Sequence, residues 1–210
     1  ILYIIMNITP LFGIPLYSRN IEVNNDLLHS YEDWTSCAYS THINNGYRTN
    51  TNSYLNDHSY YSHLMSMCVE EYLYHGLMMK KTIGWRWTTS WGLRHDTGDY
   101  STPHTHVNCM WSCILYTEVP ENSGDLILMK DERPTWTTGT VKPDLESLNN
   151  HTTTEVRLST KNGLCVIFPG FLSHGSSVNE SKESRYCVVG NIFVTGNIGQ
   201  FDKAHSELIL

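Results

Sequence analysis

Pro103-His104-Thr105-His106 and, further along, Phe168-Pro169-Gly170-Phe171-Leu172-Ser173-His174 are the two poles of the chain, set inside a stretch that runs from Gly98 to Arg185. On a strand, side chains two apart project from one face, so His104 and His106 aim their imidazoles into a shared space. That is a spacing for metal ligands. A third imidazole, His174, follows the apolar run Leu164 to Phe168, which reads as a buried strand closed by a turn. Arg185 comes eleven residues later, where a hairpin return brings it beside that histidine. Neutral imidazole is the commonest protein ligand for iron, zinc and copper, and three such ligands leave positions open for water or substrate. A lone H-x-H is as readily a pair of solvent-facing strand histidines. The distant His174 and the arginine after it favour a metal that works with an acidic small molecule.

Outward from these poles the chain divides into helices first and strands afterwards. Tyr61, Leu64, Met65, Cys68, Val69 and Tyr72 recur at three- and four-residue steps after Asp57, which predicts a helix that Gly76 ends, its apolar face in the core. Asn25-Asp26 offers a cap for a shorter helix carrying Leu27, Leu28, Tyr31 and Trp34. From Ile83 the period changes to two, with Ile83, Trp85, Trp87 and Trp91 on one face. Trp111 to Val119, Asp125 to Lys130, Glu155 to Leu158, Leu164 to Phe168 and Tyr186 to Thr195 continue as short strands between Gly, Pro, Asn or Ser clusters. Ile8 to Val23 reads as one or two edge strands. The expected architecture is mainly β, an antiparallel sandwich or barrel with a small helical layer outside it. Ser40 to Asn56 and Pro134 to Asn150 read as long polar loops, the second as an insertion or lid.

With 210 residues, 40% of them hydrophobic, a single domain over 1–210 is the default, with 1–5 an extension outside it and Met6 a candidate natural start. A net charge of −7 and the lack of any Lys/Arg run disfavour nucleic acid as a ligand. The apolar opening, Ile1 to Met6, is too short to span a bilayer and lacks the layout of a targeting signal. Six scattered cysteines form neither a CxxC pair nor a disulfide framework, which points to a reduced, cytoplasmic setting.

Gly98 through His106, then Trp111-Ser112-Cys113-Ile114-Leu115-Tyr116, then Ser123-Gly124-Asp125-Leu126, and finally Phe168-Pro169 through His174, Asn179 and Arg185, resemble the Fe(II)/2-oxoglutarate-dependent oxygenases. The group they resemble most is bacterial and phage-borne and carries an H-x-H motif. Thr9 to Leu16 also looks like that group's opening strand. The resemblance implies a double-stranded β-helix, or jelly roll, with Fe(II) at one mouth. It implies His104 and His174 as metal ligands and places His106 where most of the superfamily carries Asp or Glu. If His106 ligates, the site has three neutral ligands and one more positive charge than a two-His-one-carboxylate site. Asp96 and Asp99 are the nearby carboxylates. Arg185 matches the arginine that grips the distal carboxylate of 2-oxoglutarate, a planar fork that cannot lose its proton. Tyr116 matches a tyrosine whose hydroxyl reaches the same carboxylate, and Cys187 stands where the family often shows Ser. The implied reaction hydroxylates an unidentified substrate in a bacterial or phage-infected cell, with release of succinate and CO2.

Two other readings stand beside it. The Gly98 and Gly163 spacings to the histidines also resemble a cupin, which makes a three-His dioxygenase the alternative enzyme, although the glutamate expected after His106 is replaced by Met110 and Trp111. A metal-free jelly-roll module that binds through its many tyrosines and tryptophans is the non-enzymatic alternative.

Overall fold

Short apolar and β-branched runs make strand the commonest regular structure of the chain, as their period requires. The computed structural model describes residues 13–37, 43–44, 46–130, 144–148, 152–199 and 208–210. Its strands are β1 Tyr17–Asn20, β2 Trp34–Ser36, β3 Ile43–Asn44, β4 Tyr47–Thr49, β5 Gly84–His95, β6 Tyr100–Ser101 and β7 Trp111–Glu118. They continue with β8 Leu126–Met129, β9 Glu155–Leu158, β10 Leu164–Pro169, β11 Ser173–Ser176, β12 Arg185–Thr195, β13 Asn197–Ile198 and β14 Leu208–Ile209. Helices α1 Asp26–His29, α2 Tyr54–Asp57 and α3 Ser59–Glu70 precede β5, and α3 runs on into a π-helical turn, Glu71–Gly76.

Seven strands form one antiparallel sheet in the order β1-β10-β7-β12-β5-β4-β2, and β11-β8-β9 form the smaller sheet. Two apolar cores lie on the two faces of the large sheet. On the outer face α2, α3 and the π-helical turn bury Tyr61, Met65, Cys68, Val69, Tyr72 and Leu73 against Cys113, Leu115, Cys165, Ile167, Val188 and Ile192. On the inner face Ile114, Val166, Phe168 and Val189 meet Leu126 and Leu128 of the small sheet. This is a jelly roll with its helical layer on one side, as expected. Phe168 is fully buried in the inner core, so cutting it to alanine costs about 3–5 kcal/mol.

The alternation along β12 explains much of the site. Arg185, Cys187, Val189 and Asn191 point inward, all lining one cavity between the sheets, while Val188, Ile192 and Val194 face the helices. The neighbouring strand β5 breaks its own alternation. Asn191 pairs with Thr89 but Ile192 pairs with Trp87, so Thr88 is an extra residue, a β-bulge. Trp85 and Trp87 therefore face the helical layer, while Trp91 and Leu93 face the small sheet. The shared face expected for Ile83, Trp85, Trp87 and Trp91 is corrected by that single inserted residue.

Other expectations change locally. The first helix is one turn long, its opening amide Asp26 N–H bonds to Asn24 Oδ1 at 2.8 Å, and Trp34 already belongs to β2. The polar stretch from Ser40 holds β3, β4 and the start of α2 rather than a plain loop. The opening strand is β1, just after the proposed Thr9–Leu16, whose first four residues lie outside the described ones. Residues 1–5 and most of the Pro134–Asn150 insertion also lie outside the described residues.

Candidate metal centre and anion pocket

His104 and His174 sit directly opposite each other on paired segments. His104 N–H donates to the carbonyl of His174, and His174 N–H to that of His104, each at 2.9 Å. One rung further, His106 N–H donates to the Gly170 carbonyl at 2.9 Å. Residues 104–106 thus run antiparallel beside 170–174, and the two-residue repeat of a strand turns both histidines of the motif the same way. The three ring centroids are 5.1, 4.4 and 4.8 Å apart, and the candidate ligand atoms of all three rings lie within 4.8 Å of one another.

Each ring is held by its Nδ1. His104 Nδ1 donates to the Thr102 carbonyl at 2.8 Å, and His174 Nδ1 to the Leu172 carbonyl at 2.9 Å. His106 Nδ1 lies 2.7 Å from Asn191 Oδ1, with Ser112 Oγ at 3.3 Å. Asn191 Nδ2 in turn donates to Thr89 Oγ1 at 2.9 Å, which turns the amide oxygen towards the histidine. A carbonyl oxygen cannot donate, so the proton belongs on Nδ1 in all three rings and the lone pair on Nε2. That tautomer is the ligating one, and a hydrogen-bond acceptor behind the ring is the usual way of fixing it. The residues present fit a first-row divalent ion such as Fe(II).

The carboxylates considered nearby serve elsewhere. Asp96 pairs with Arg94 at 2.6 Å and accepts from Ser184 Oγ, and Asp99 accepts from the Asp96 amide. Among the described residues the only cluster of metal-ligand type is the three histidines.

Arg185, Tyr116, Cys187 and His95 line the same cavity, of about 290 Å³, as the three imidazoles. Arg185 does not return in a hairpin beside His174. It starts β12 in the large sheet, whereas His174 is in β11 of the small one, so the two reach the cavity from different sheets. Arg185 is 3% exposed and forms no carboxylate pair among the described residues. Nη1 donates to the Ser123 and Gly124 carbonyls at 2.6 and 3.0 Å, and Nη2 donates to His95 Nδ1 at 2.6 Å. Gly124 has φ +92, and a Cβ there would stand 2.6 Å from the Ser177 carbonyl oxygen, 2.8 Å from that of Val178 and 3.1 Å from Arg185 Nη1, so the turn that meets the guanidinium needs glycine. A guanidinium has five N–H groups, and no described residue accepts the remaining two.

His95 is the acceptor that a buried arginine can tolerate only while uncharged. Burial and then the Arg185 cation lower its pKa to about 3, so it is neutral at physiological pH. Burial pushes the Tyr116 phenol well above its ordinary value, so it remains a donor. Its hydroxyl has no hydrogen-bond partner among the described residues. Burial raises the Cys187 thiol to about 12, which leaves it a neutral and weak donor. His95, Asn191 and Thr89 escape sequence reasoning, because their roles depend on the bulge in β5.

A family model described as putative 2OG-Fe(II) oxygenase matches residues 89–191. No curated protein matches the chain in sequence. Among solved structures, the non-heme alpha ketoglutarate dependent epimerase SnoN from nogalamycin biosynthesis is similar at 11% identity and TM-score 0.56, over 80% of this chain and 70% of that one. SnoN was also solved in complex with Fe3+, alpha ketoglutarate and nogalamycin RO. A 2OG-Fe(II) oxygenase-family oxidoreductase from Burkholderia pseudomallei is similar at 9% identity and TM-score 0.55, over 80% of this chain and 76% of that one. A Pseudomonas putida prolyl-4-hydroxylase is similar at 12% identity and TM-score 0.53, over 85% and 92%. At such identities the likeness is one of fold.

Proposed function

The chain belongs to the 2OG-Fe(II) oxygenases through residues 89–191, and from that premise we propose that His104, His106 and His174 hold the iron while Arg185 and Tyr116 hold 2-oxoglutarate. When bound, Fe(II) and 2-oxoglutarate supply the oxidative chemistry, with O2 consumed and succinate and CO2 released as the substrate is hydroxylated. The protein's part is binding and orientation. The Thr102 and Leu172 carbonyls and the Asn191 amide keep three Nε2 lone pairs turned to one point. The two N–H groups of Arg185 that no described residue accepts match the two oxygens of a carboxylate. Tyr116 adds a hydroxyl donor, and neutral His95 holds the guanidinium without competing for its charge. Leu93, Ile114, Val189 and Leu126 line the rest of the cavity and keep water from the reacting centre.

The observation that carries this reading is one cavity lined both by the converging imidazoles and by a buried arginine that has no carboxylate of its own. Three neutral ligands in place of two histidines and a carboxylate are this chain's departure from the wider pattern. A cupin-like dioxygenase would use the same three imidazoles but has no need of Arg185. Incubation of the iron-loaded protein with 2-oxoglutarate and O2 tests the choice. Succinate formation that His174→Ala abolishes is the expected result. Its absence from a sample shown to hold iron favours the cupin chemistry, and a protein that takes up no iron favours the metal-free module. We place the enzyme in the cytoplasm of a bacterial or phage-infected cell, acting on a small molecule. The free state of all six cysteines supports a reducing setting, and among the described residues no helix is long and apolar enough to cross a membrane.

A further inference from the structure

We infer that the substrate of this site is an oxyanion, a carboxylate or phosphate carried on a small apolar body, and that Arg48 is the residue that recognises it. The inference rests on the assignment of Arg185 to 2-oxoglutarate, and it begins from charge. Two arginines line the cavity, Arg48 and Arg185, and among the described residues no Asp or Glu lines it. Three neutral imidazoles add no negative charge to a divalent ion. A dianionic cosubstrate offsets two of the four positive charges of the ion and the two guanidiniums, and with Arg185 on its carboxylate the Arg48 guanidinium is left facing a largely apolar cavity without a carboxylate partner among the described residues. Charge in such a cavity calls for an anion.

Arg48 is placed to meet one. It lies on β4, at register with Leu93 of β5, on the same wall as Trp91. Its guanidinium carbon is 5.2 Å from the Trp91 ring centroid, and that ring is 5.8 Å from the His106 ring. The aromatic ring thus neighbours both the arginine and one of the three imidazoles. Nη2 donates to the Thr51 carbonyl and to Asn52 Oδ1, which orients the fork. Nε and Nη1 have no acceptor among the described residues. Val107, 79% exposed and lining the cavity, supplies apolar surface for the body of the ligand.

The test uses the full chain loaded with Mn(II) and saturated with 2-oxoglutarate, with phenylacetate, phenyl phosphate and the neutral phenylacetamide as probes. The readout is paramagnetic broadening of the probes' aromatic proton resonances, which reports closeness to the ion without turnover. At least one anion is expected to broaden while phenylacetamide stays sharp, and the two anions tell carboxylate from phosphate. Arg48→Gln is expected to weaken anion binding about tenfold or more, as loss of a charged hydrogen bond does, with 2-oxoglutarate affinity unchanged. Arg48→Lys is expected to keep the preference for anions, which separates charge from any effect on folding. Equal broadening of acid and amide, no broadening of either anion at about 20 mM, or an anion effect that Arg48→Gln leaves intact would each overturn the inference. So would an anion that displaces 2-oxoglutarate, since it would then be reading Arg185. Failure of the cosubstrate assignment shows separately, as sharp 2-oxoglutarate resonances in the wild-type protein.

Discussion

Replacing Asn191 by leucine removes the acceptor behind His106 while keeping the side chain's approximate volume. Asn191 Oδ1 is 2.7 Å from His106 Nδ1, and the same amide is held by Thr89. Without it the imidazole loses one hydrogen bond, a net of about 0.5–1.5 kcal/mol, and the preference that keeps its lone pair on Nε2. Partners of this kind cost about 10–100-fold in metal affinity when removed from other sites. Ser112 Oγ, at 3.3 Å from the same nitrogen, is a fallback acceptor, so the lower end, about tenfold, is expected here. Asn191→Asp restores the acceptor and adds negative charge behind the ring, so it should bind metal at least as tightly as the wild type. The assay is an anaerobic competition for Fe(II) or Co(II) against a coloured chelator, with the denaturation midpoint as a control for folding. A leucine variant that folds and binds metal within twofold of wild type would refute the idea that this amide positions a ligand.

Arg185→Ala should weaken 2-oxoglutarate binding by about a hundredfold while sparing the metal, measured by titration of the metal-loaded protein; unchanged affinity would sink the cosubstrate role. The same change strips the Ser123 and Gly124 carbonyls and His95 of a donor, so a loss of about 1–3 kcal/mol in unfolding free energy is expected beside it. His106→Asp should retain or tighten iron, because a carboxylate restores the charge that a third imidazole lacks, and a large loss of iron would place His106 in another task. His95 has a folded pKa near 3, below the ordinary value of 6.5, so the unfolded chain takes up the proton first. Its contribution to stability is complete above pH 6.5 and falls by about 1.4 kcal/mol per pH unit as the pH drops towards 3. His95→Gln should flatten that slope in denaturation curves at pH 7, 6 and 5; an identical slope would contradict a neutral buried imidazole.

Much of this could be read from residue order alone, for a physical reason. H-x-H spacing on an extended segment and the apolar run before His174 are local patterns, and local patterns survive folding. The helix from Ser59 kept its predicted apolar face for the same reason, although its last turn widened into a π-helical one. What escaped reading depends on pairing between distant strands. The Thr88 bulge exists only because β5 must match β12, and it decides whether Trp91, Leu93 and His95 meet the ligand cavity or the helices. Asn191 looks like an ordinary strand residue until that pairing sets it behind His106. Arg48 was hidden in a stretch whose Thr, Asn and Gly content reads as loop, yet Tyr47–Thr49 form a strand of the large sheet, paired on both sides by β5 and β2. Arg185 lines the cavity with the imidazoles but not by the expected route, since sequence distance cannot tell a hairpin from a crossing between sheets.

The mutual amide bonds of His104 and His174 make two candidate ligands a single rung of the ladder. Neither Cα can drift without stretching the backbone that carries the other, so the spacing of the points from which the two rings hang is inherited from main-chain geometry. A protein stripped of its ion should therefore keep this pair in place. Slow deuterium uptake at both amides, alike with and without the ion, would be the mark of a socket that exists before anything is plugged into it.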